Sequence, residues 1–283
     1  MFEWGRRTFV MGIVNVSPES FSGDGVTDVN AAVEQALRFV DEGADILDVG
    51  GQSTRPRYSA SVEAGGTAIG YEELPVDEEI DRVLPVIREI VARTDLPVSV
   101  DTYKPEVAEA AIKEGARIIN DVWGLKKDVA LARVAAKFGT PLILMHNQPE
   151  PGYTRLIPDI VASLRRSVAF AMAAGVQRDR IIVDPGFGFG KTVSHNLEVL
   201  RRLGEIKSAL RLPLMLGTSR KSTIGRVLDL PVDERVEGTA ATVALGIAQG
   251  ADIVRVHDVK EMVRVARMSD SVTALRLSVR DQG

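Results

Sequence analysis

One tetrapeptide pattern, Gly-Ala-polar-Ile, recurs three times and sets the punctuation of the chain. It occurs as Gly43-Ala44-Asp45-Ile46, Gly115-Ala116-Arg117-Ile118 and Gly250-Ala251-Asp252-Ile253. A glycine in this context ends a helix in the left-handed conformation, and the apolar run after it starts a strand. A second mark is proline opening a strand, at Pro97-Val98, Pro141-Leu142 and Pro213-Leu214. Proline is tolerated there because the sheet need not use its missing N–H. Between these marks lie segments of helical period. Val29, Ala32, Val33, Ala36, Leu37 and Val40 fall on one face, as do Val161, Leu164, Val168 and Met172 before Gly175, and Ala240, Val243, Ala244 and Ile247 before Gly250. Val107, Ala110 and Ala111 do the same after Pro105, and the segment from Val259 to about Ser278 is also helical in period.

The pattern predicts eight strands, each followed by a helix, near residues 9–15, 45–49, 97–101, 117–120, 141–146, 180–184, 213–217 and 252–256. Strands that are apolar throughout and alternate with amphipathic helices form a parallel sheet covered by helices. Eight such units in 283 residues fit a (β/α)8 TIM barrel, with a doubly wound open sheet as the alternative. No linker or compositional shift divides the chain, so residues 1–283 are expected to form a single domain.

Composition narrows the classes of function. Thirty-five basic against 39 acidic side chains give a net charge of −4, which argues against a general nucleic-acid footprint. An anionic ligand must therefore be held by local groups. The chain has no cysteine, which excludes disulfides, thiolate catalysis and cysteine-based metal sites. No apolar run is long enough to span a bilayer. Arg6-Arg7 followed by Thr8–Val16 faintly mimics a signal peptide, but Asn15 interrupts it and no small-residue cleavage site follows, so a first strand and a cytoplasmic protein are expected.

In a (β/α)8 barrel, chemistry sits at the C-terminal ends of the strands. Those ends carry Asn15, Asp48, Asp101-Thr102, Asn120-Asp121, Met145-His146-Asn147, Asp184, Gly217-Thr218-Ser219-Arg220-Lys221 and Arg255-Val256-His257-Asp258. Singly, each has a dull explanation: an Asp or Asn caps the next helix, a His satisfies the core, a Lys or Arg is solvated. Together they converge on one rim. Lys221, Arg255 and His257 on neighbouring strands suit an anion, most readily phosphate. The carboxylates and amides of strands three, four and six suit a neutral ring with N–H donors. The stretch Ile181 to Lys191 adds a carboxylate, three glycines and two phenylalanines beside them, the surroundings of a flat, nitrogen-rich heterocycle. Its spacing matches neither a Walker A loop nor a dinucleotide fingerprint. A bare glycine-rich connector with a capping Asp184 is the plainer alternative. No cluster of His, Asp and Glu suits a tightly held transition metal. Asn15 can offer one oxygen to a Mg2+ carried mainly by phosphates. Arg57 to Glu73 is expected to be a long loop after strand two, and Gly23-Asp24-Gly25 a second loop after strand one.

Several runs together resemble the dihydropteroate synthase family of pterin-binding TIM barrels. They are Met11 to Ser22, Asp48 to Pro56, Ser99 to Thr102, Ile118 to Asp121, Leu144 to His146, Asp184 to Lys191, Ser219 to Ser222 and Arg255 to Asp258, spread over nearly the whole chain. The resemblance implies a sulfonamide-targeted transferase. It would join 6-hydroxymethyl-7,8-dihydropterin diphosphate to 4-aminobenzoate, giving 7,8-dihydropteroate and pyrophosphate, with Mg2+ and by an SN1-like loss of pyrophosphate. It also implies a homodimer packed through late barrel helices, with which an apolar residue such as Val263 is compatible. By likeness, Asp101, Asn120, Met145, Asp184, Gly217 and Lys221 bind the pterin. Asn15, Thr54, Arg255 and His257 serve the diphosphate, with Asn15 toward Mg2+. Thr54, Arg55, Pro56, Phe189, Ser219 and Lys221 frame the aminobenzoate, and the chemistry falls to Thr54, Arg55, Lys221, Arg255 and His257.

The chain departs from the family's usual pattern at Gln52, where an acidic residue is common, at Glu19, in the order Gly23-Asp24-Gly25, at Thr218 and in the length of 57–73. Two other readings share the pterin floor. A methyltetrahydrofolate:corrinoid methyltransferase has less reason to carry the Ser53-Thr54-Arg55-Pro56 run and the Lys221, Arg255 and His257 cluster. A non-catalytic pterin-binding paralogue has less reason to keep both rim loops intact.

Overall fold

The computed structural model describes residues 2–16, 28–52 and 73–273. Its strands are β1 (Phe9–Asn15), β2 (Ile46–Gly50), β3 (Val98–Asp101), β4 (Ile118–Asp121), β5 (Leu142–Met145), β6 (Ile181–Asp184), β7 (Met215–Leu216) and β8 (Ile253–Val256). All neighbours pair in parallel, in the order β6-β5-β4-β3-β2-β1-β8-β7. A bridge between Val183 and Leu214 joins the two ends of that order, and the Val183 N–H donates to the Pro213 carbonyl at 2.9 Å. The sheet is therefore a closed barrel, and the open-sheet alternative falls away.

The helices are α1 (Val29–Asp41), α2 (Val76–Val91), α3 (Pro105–Lys113), α4 (Ala130–Phe138), α5 (Leu156–Ala173), α6 (Val193–Arg201), α7 (Leu203–Leu210), α8 (Ser222–Leu228), α9 (Val236–Ala248) and α10 (Val259–Thr273). The repeat punctuation acts as its chemistry requires. Gly43, Gly115 and Gly250 have φ of +96°, +105° and +97°. The alanine after each donates its N–H back to the helix, Ala44 to Phe39 at 2.9 Å, Ala116 to Ala111 and Ala251 to Gly246 at 3.0 Å. These six-residue closures satisfy the last helical carbonyls and turn the chain inward. Pro97 and Pro141, like Pro213, give the neighbouring strand a carbonyl, to Leu47 at 3.2 Å and Ile119 at 3.0 Å.

The one-helix-per-strand expectation fails in the last third. Two helices follow β6, because the backbone at Arg202 (φ −111°, ψ 21°) breaks what would be one segment. After β7 comes the short α8, stopped by Asp229 in the left-handed conformation, then Pro231 and a 3-10 turn at Val232–Glu234 before α9. Val263 is also not on an outer face. It is buried in the core, beside the Gly43 turn.

Alternation along each strand divides the core in two. Val10, Val14, Leu47, Val49, Val98, Val100, Ile119, Leu142, Leu144, Val183, Leu216 and Val254 face outward and pack under the helices. Phe9, Met11, Ile46, Ile118, Ile143, Ile182, Met215 and Ile253 form a separate inner cluster, two residues from β1 and one from each other strand except β3. Phe2 and Trp4 pack against it, with their rings 5.0 Å and 5.5 Å from the Phe9 ring. The barrel is thus sealed with apolar groups at its N-terminal end. With a period of two, the next inward residues toward the C-terminal end are Asp48, Asn120, Met145, Asp184, Gly217 and Arg255, joined by Ser99 and Asp101 of β3. Among the described residues no helix is long and apolar enough to cross a membrane.

Candidate active site

The inward residues at the strand ends form one charged network. Arg255 on β8 reaches across the barrel, its Nε 2.6 Å from Oδ2 of Asp48 and its Nη2 2.8 Å from Oδ2 of Asp101. Asn120 donates from Nδ2 to the same Asp48 oxygen at 3.0 Å. Burial works against the Arg255 charge, but Asp48 and Asp101 outweigh it and hold its pKa above the usual arginine value. Burial also raises the Asp101 carboxyl, against the pull of Arg255, with the negative charges of Asp48, Glu79 and Asp121 adding to the rise. Three buried polar atoms here have no hydrogen-bond partner among the described residues: Asp48 Oδ1, Ser99 Oγ and Asn120 Oδ1.

Asp184 sits across this network at the end of β6. Its Oδ1 accepts from the Gly186 N–H at 2.6 Å. Burial raises its pKa, while Lys221, Gly186, Lys191 and Arg255 pull it down. Asp184 thus lies within electrostatic reach of Arg255, as one shared cavity requires. The loop after Asp184 needs its glycines. Gly186, Gly188 and Gly190 have φ of +68°, +84° and +55°. A Cβ on Gly186 would fall 1.8 Å from the His146 carbonyl oxygen, and one on Gly190 2.2 Å from that of Gln148. Bare backbone lets the loop lie directly on the end of β5.

The two phenylalanines of this loop part company. Phe187 is fully buried in the outer core, so only one of the two expected rings serves the pocket. Phe189 groups with Met145 and Val122, and Trp123 packs against them. Lys221 lies over Phe189, its Nζ 4.7 Å from the ring centroid, and donates to the Phe187 carbonyl. A cation held over an aromatic face beside a carboxylate frames a flat polar ligand well.

Other strand-end residues have different fates. Asp121 points the other way from Asn120 and takes the N–H groups of Trp123 and Leu125 at 2.8 Å and 2.6 Å, a capping role. His257 is half-buried, and its Nδ1 lies 2.9 Å from Ser219 Oγ, which also accepts the His257 N–H at 3.1 Å. Arg220, between Ser219 and Lys221, forms a two-point pair with Asp258. Thr218 is turned to Thr242 at 2.9 Å. Asn15 is half-buried at the end of β1, in register with Gly50. Thr54, Arg55, Pro56, Glu19, Gly23-Asp24-Gly25 and residues 57–72 lie outside the described residues.

Three features escaped the reading of the sequence. Asp48 is the hub of the Arg255–Asn120 contacts. Its one legible signal is a charge at an inward position in the apolar run Ile46-Leu47-Asp48-Val49. Lys191 does more than close a loop: it is buried, with Nζ 3.0 Å from His146 Nδ1, 2.9 Å from the Gly186 carbonyl and 3.1 Å from that of Phe189. Lys104 joins Gln52 at 3.0 Å, the Leu74 carbonyl at 2.5 Å and the buried Glu79 at 2.6 Å, tying together residues on either side of 53–72.

Known proteins share this sequence and this barrel. The profile of the family described as pterin binding enzyme matches residues 11–257. A dihydropteroate synthase of Bacillus subtilis is 51% identical, over 94% of this chain and 89% of its own. The chain belongs to the dihydropteroate synthase family. Its function is accordingly that of a dihydropteroate synthase, a transferase acting on small molecules.

Solved members of that family superpose closely. The dihydropteroate synthase of Clostridium difficile, in the presence of pteroic acid, is 46% identical with a TM-score of 0.87, covering 96% of this chain and 99% of that one. The Xanthomonas albilineans dihydropteroate synthase with 4-aminobenzoic acid is 40% identical with a TM-score of 0.83, covering 95% and 94%. Among the described residues no group of three or more His, Cys, Asp or Glu could hold a metal ion.

Proposed function

We propose that this barrel end binds 6-hydroxymethyl-7,8-dihydropterin diphosphate by both of its halves and presents its methylene to 4-aminobenzoate. Asp101, Asn120 and Asp184 accept the N–H groups of the pterin, since a guanidine-like edge suits buried carboxylate and amide oxygens. Lys221 meets the carbonyl edge, with Met145 and Gly217 as the apolar and open walls. Arg255 keeps N–H donors beyond the two spent on Asp48 and Asp101, and with His257 it faces the diphosphate. Phe189, Ser219 and Lys221 line the approach of the aminobenzoate, with Thr54, Arg55 and Pro56 expected to complete it.

The C–O bond to the leaving pyrophosphate breaks as Arg255 and His257 stabilise its growing negative charge. The dihydropterin ring delocalises the positive charge left on the methylene, so an SN1-like path suits the site. The aniline nitrogen then attacks the methylene and gives up one N–H proton to water or the released pyrophosphate, so no protein nucleophile is needed. Asn15, half-buried at the end of β1, would offer one amide oxygen to a Mg2+ held mainly by phosphate oxygens. When bound, Mg2+ would supply charge neutralisation on the diphosphate.

The observation that carries this reading is the placing of Asp184 and Arg255 on one inward-facing rim, each within the other's field. Calorimetry with 6-hydroxymethylpterin and with its diphosphate tests it. Asp184→Ala should abolish binding of both, and Arg255→Ala should weaken the diphosphate far more than the phosphate-free ring. Equal losses in Arg255→Ala would remove that residue from the anion site. For the reaction itself, pterin diphosphate, Mg2+ and labelled aminobenzoate should yield labelled pteroate.

The assembly we infer is a homodimer in the cytoplasm. Leu245 of α9 with Met268 and Val272 of α10 are 58%, 64% and 68% exposed, large apolar groups on adjacent late helices. Light scattering of Leu245→Asp/Met268→Asp against the unaltered chain checks this: a species of unchanged mass would reject the face.

A further inference from the structure

The buried carboxylate of Asp48 touches both Arg255 and Asn120. It is fully buried on β2, beneath the rim. Its Oδ2 takes the Nε proton of Arg255 at 2.6 Å and the Nδ2 proton of Asn120 at 3.0 Å. We propose that Asp48 is a positioning residue, whose carboxylate holds Asn120 with its oxygen turned to the pterin and Arg255 with its guanidinium turned to the diphosphate, before either ligand arrives. This rests on the roles given above to Asn120 and Arg255.

The argument for Asn120 is one of polarity. An asparagine amide has a donor end and an acceptor end of nearly equal size, and packing alone does not choose between them. A carboxylate chooses, because it accepts and cannot donate. With Nδ2 committed to Asp48, Oδ1 must face away, and Asn120 Oδ1 is a buried acceptor without a partner among the described residues. A pterin amino group supplies the missing donor. Reversing the amide would set oxygen against carboxylate in a buried site, where repulsion is weakly screened.

The argument for Arg255 is one of rigidity. Asp48 at Nε and Asp101 at Nη2 fix two edges of a planar group, so its plane is set before any phosphate binds. The three residues come from β2, β4 and β8, and among the described residues Asp48 joins the other two. Asp48 also acts on Asp101 through space. The charged groups facing Asp101 are Arg255 from β8, Asp48 from β2, Glu79 from α2 and Asp121 from β4. Removing the Asp48 charge should move the Asp101 pKa downward.

Asp48→Asn in the full chain tests the proposal by titration with 6-hydroxymethylpterin and, separately, with inorganic pyrophosphate. Both affinities should fall roughly ten-fold or more, as when one member of a buried hydrogen-bonded charge pair is neutralised. The losses should be non-additive: no further loss of pyrophosphate binding in an Arg255→Ala background, and a smaller loss of pterin binding in Asn120→Ala than in the unaltered chain. The acid limb of pterin binding should shift to lower pH. Unchanged affinities, or equal losses in every background, would overturn the proposal. If Asp184→Ala and Arg255→Ala themselves bind normally, the site assignment is at fault and the Asp48 role falls with it. Should Asp48→Asn not fold, the unaltered chain still decides. In 15N-arginine spectra, the signal missing from Arg255→Lys should be a slowly exchanging Nε–H. Rapid exchange there would mean that Asp48 does not hold it.

Discussion

Lys191 Nζ lies 3.0 Å from His146 Nδ1, and both side chains are buried where the β6–α6 loop crosses the end of β5. Burial, with the Lys191 charge beside it, pushes the His146 pKa down to about 2. Burial likewise lowers Lys191 to about 7, against the attraction of Asp184. The imidazole therefore stays neutral, and its Nδ1 can accept a hydrogen bond from the lysine N–H.

This pair gives a pH-dependent stability. The unfolded chain takes up a proton at His146 below about pH 6.5, which the folded chain refuses until about pH 2. This stabilisation is complete above the unfolded pKa and is lost as pH falls. Between pH 7 and pH 5 the loss from this group is about 2 kcal/mol. Urea unfolding at the two pH values should show a smaller drop in His146→Gln by that amount. Equal drops would mean that the histidine is protonated in the fold.

Lys104 and Glu79 form a buried ion pair, with Glu79 1% exposed. Lys104→Met removes the cation and strands the carboxylate. Breaking such a pair from one side costs about 3–5 kcal/mol. Glu79→Gln/Lys104→Met should recover a large part of that loss in denaturant melts, because neither charge is then buried alone.

Gly186 combines φ of +68° with a carbonyl oxygen 1.8 Å from where a Cβ would stand. Gly186→Ala should lower stability by about 2 kcal/mol or more, and it should weaken pterin binding because Asp184 accepts the Gly186 N–H. Gly152 has ordinary φ and nothing within 4 Å of an added Cβ, so Gly152→Ala should be neutral or stabilising by up to about 1 kcal/mol. Differential scanning calorimetry of both variants checks the contrast.

Chelation should separate the two halves of the ligand. If Mg2+ is carried by the diphosphate as proposed, EDTA should sharply lower pteroate formation and leave binding of 6-hydroxymethylpterin unchanged. Loss of ring binding on chelation would place the ion against the pterin.

Much of the fold was legible because its signals are local. A glycine that must adopt positive φ, a proline that lacks an N–H and a two-residue alternation each act within a few residues, so Gly43, Pro141 and the Ile181 to Asp184 strand could be located directly. The break at Arg202, where φ is −111° and ψ 21°, left no such mark. The same limit separates Phe187 from Phe189. They are two residues apart and identical in type, yet one enters the core and the other faces the pocket, because positive φ at Gly188 ends the simple alternation between them.

By itself the sequence determined the strand–helix repeat, the polar character of every strand end and the chemistry those ends offer, all of them properties of single residues and short spacings. Which polar group meets which was decided only in three dimensions. Asp48 lies 207 residues from Arg255 and 72 from Asn120, and barrel closure alone turns these three into one hydrogen-bonded unit. Likewise, Val263 is a core residue only because α10 returns to the Gly43 turn near the start of the chain. Partners so far apart leave no periodic trace, since their meeting depends on the rotation of whole strands about a common axis.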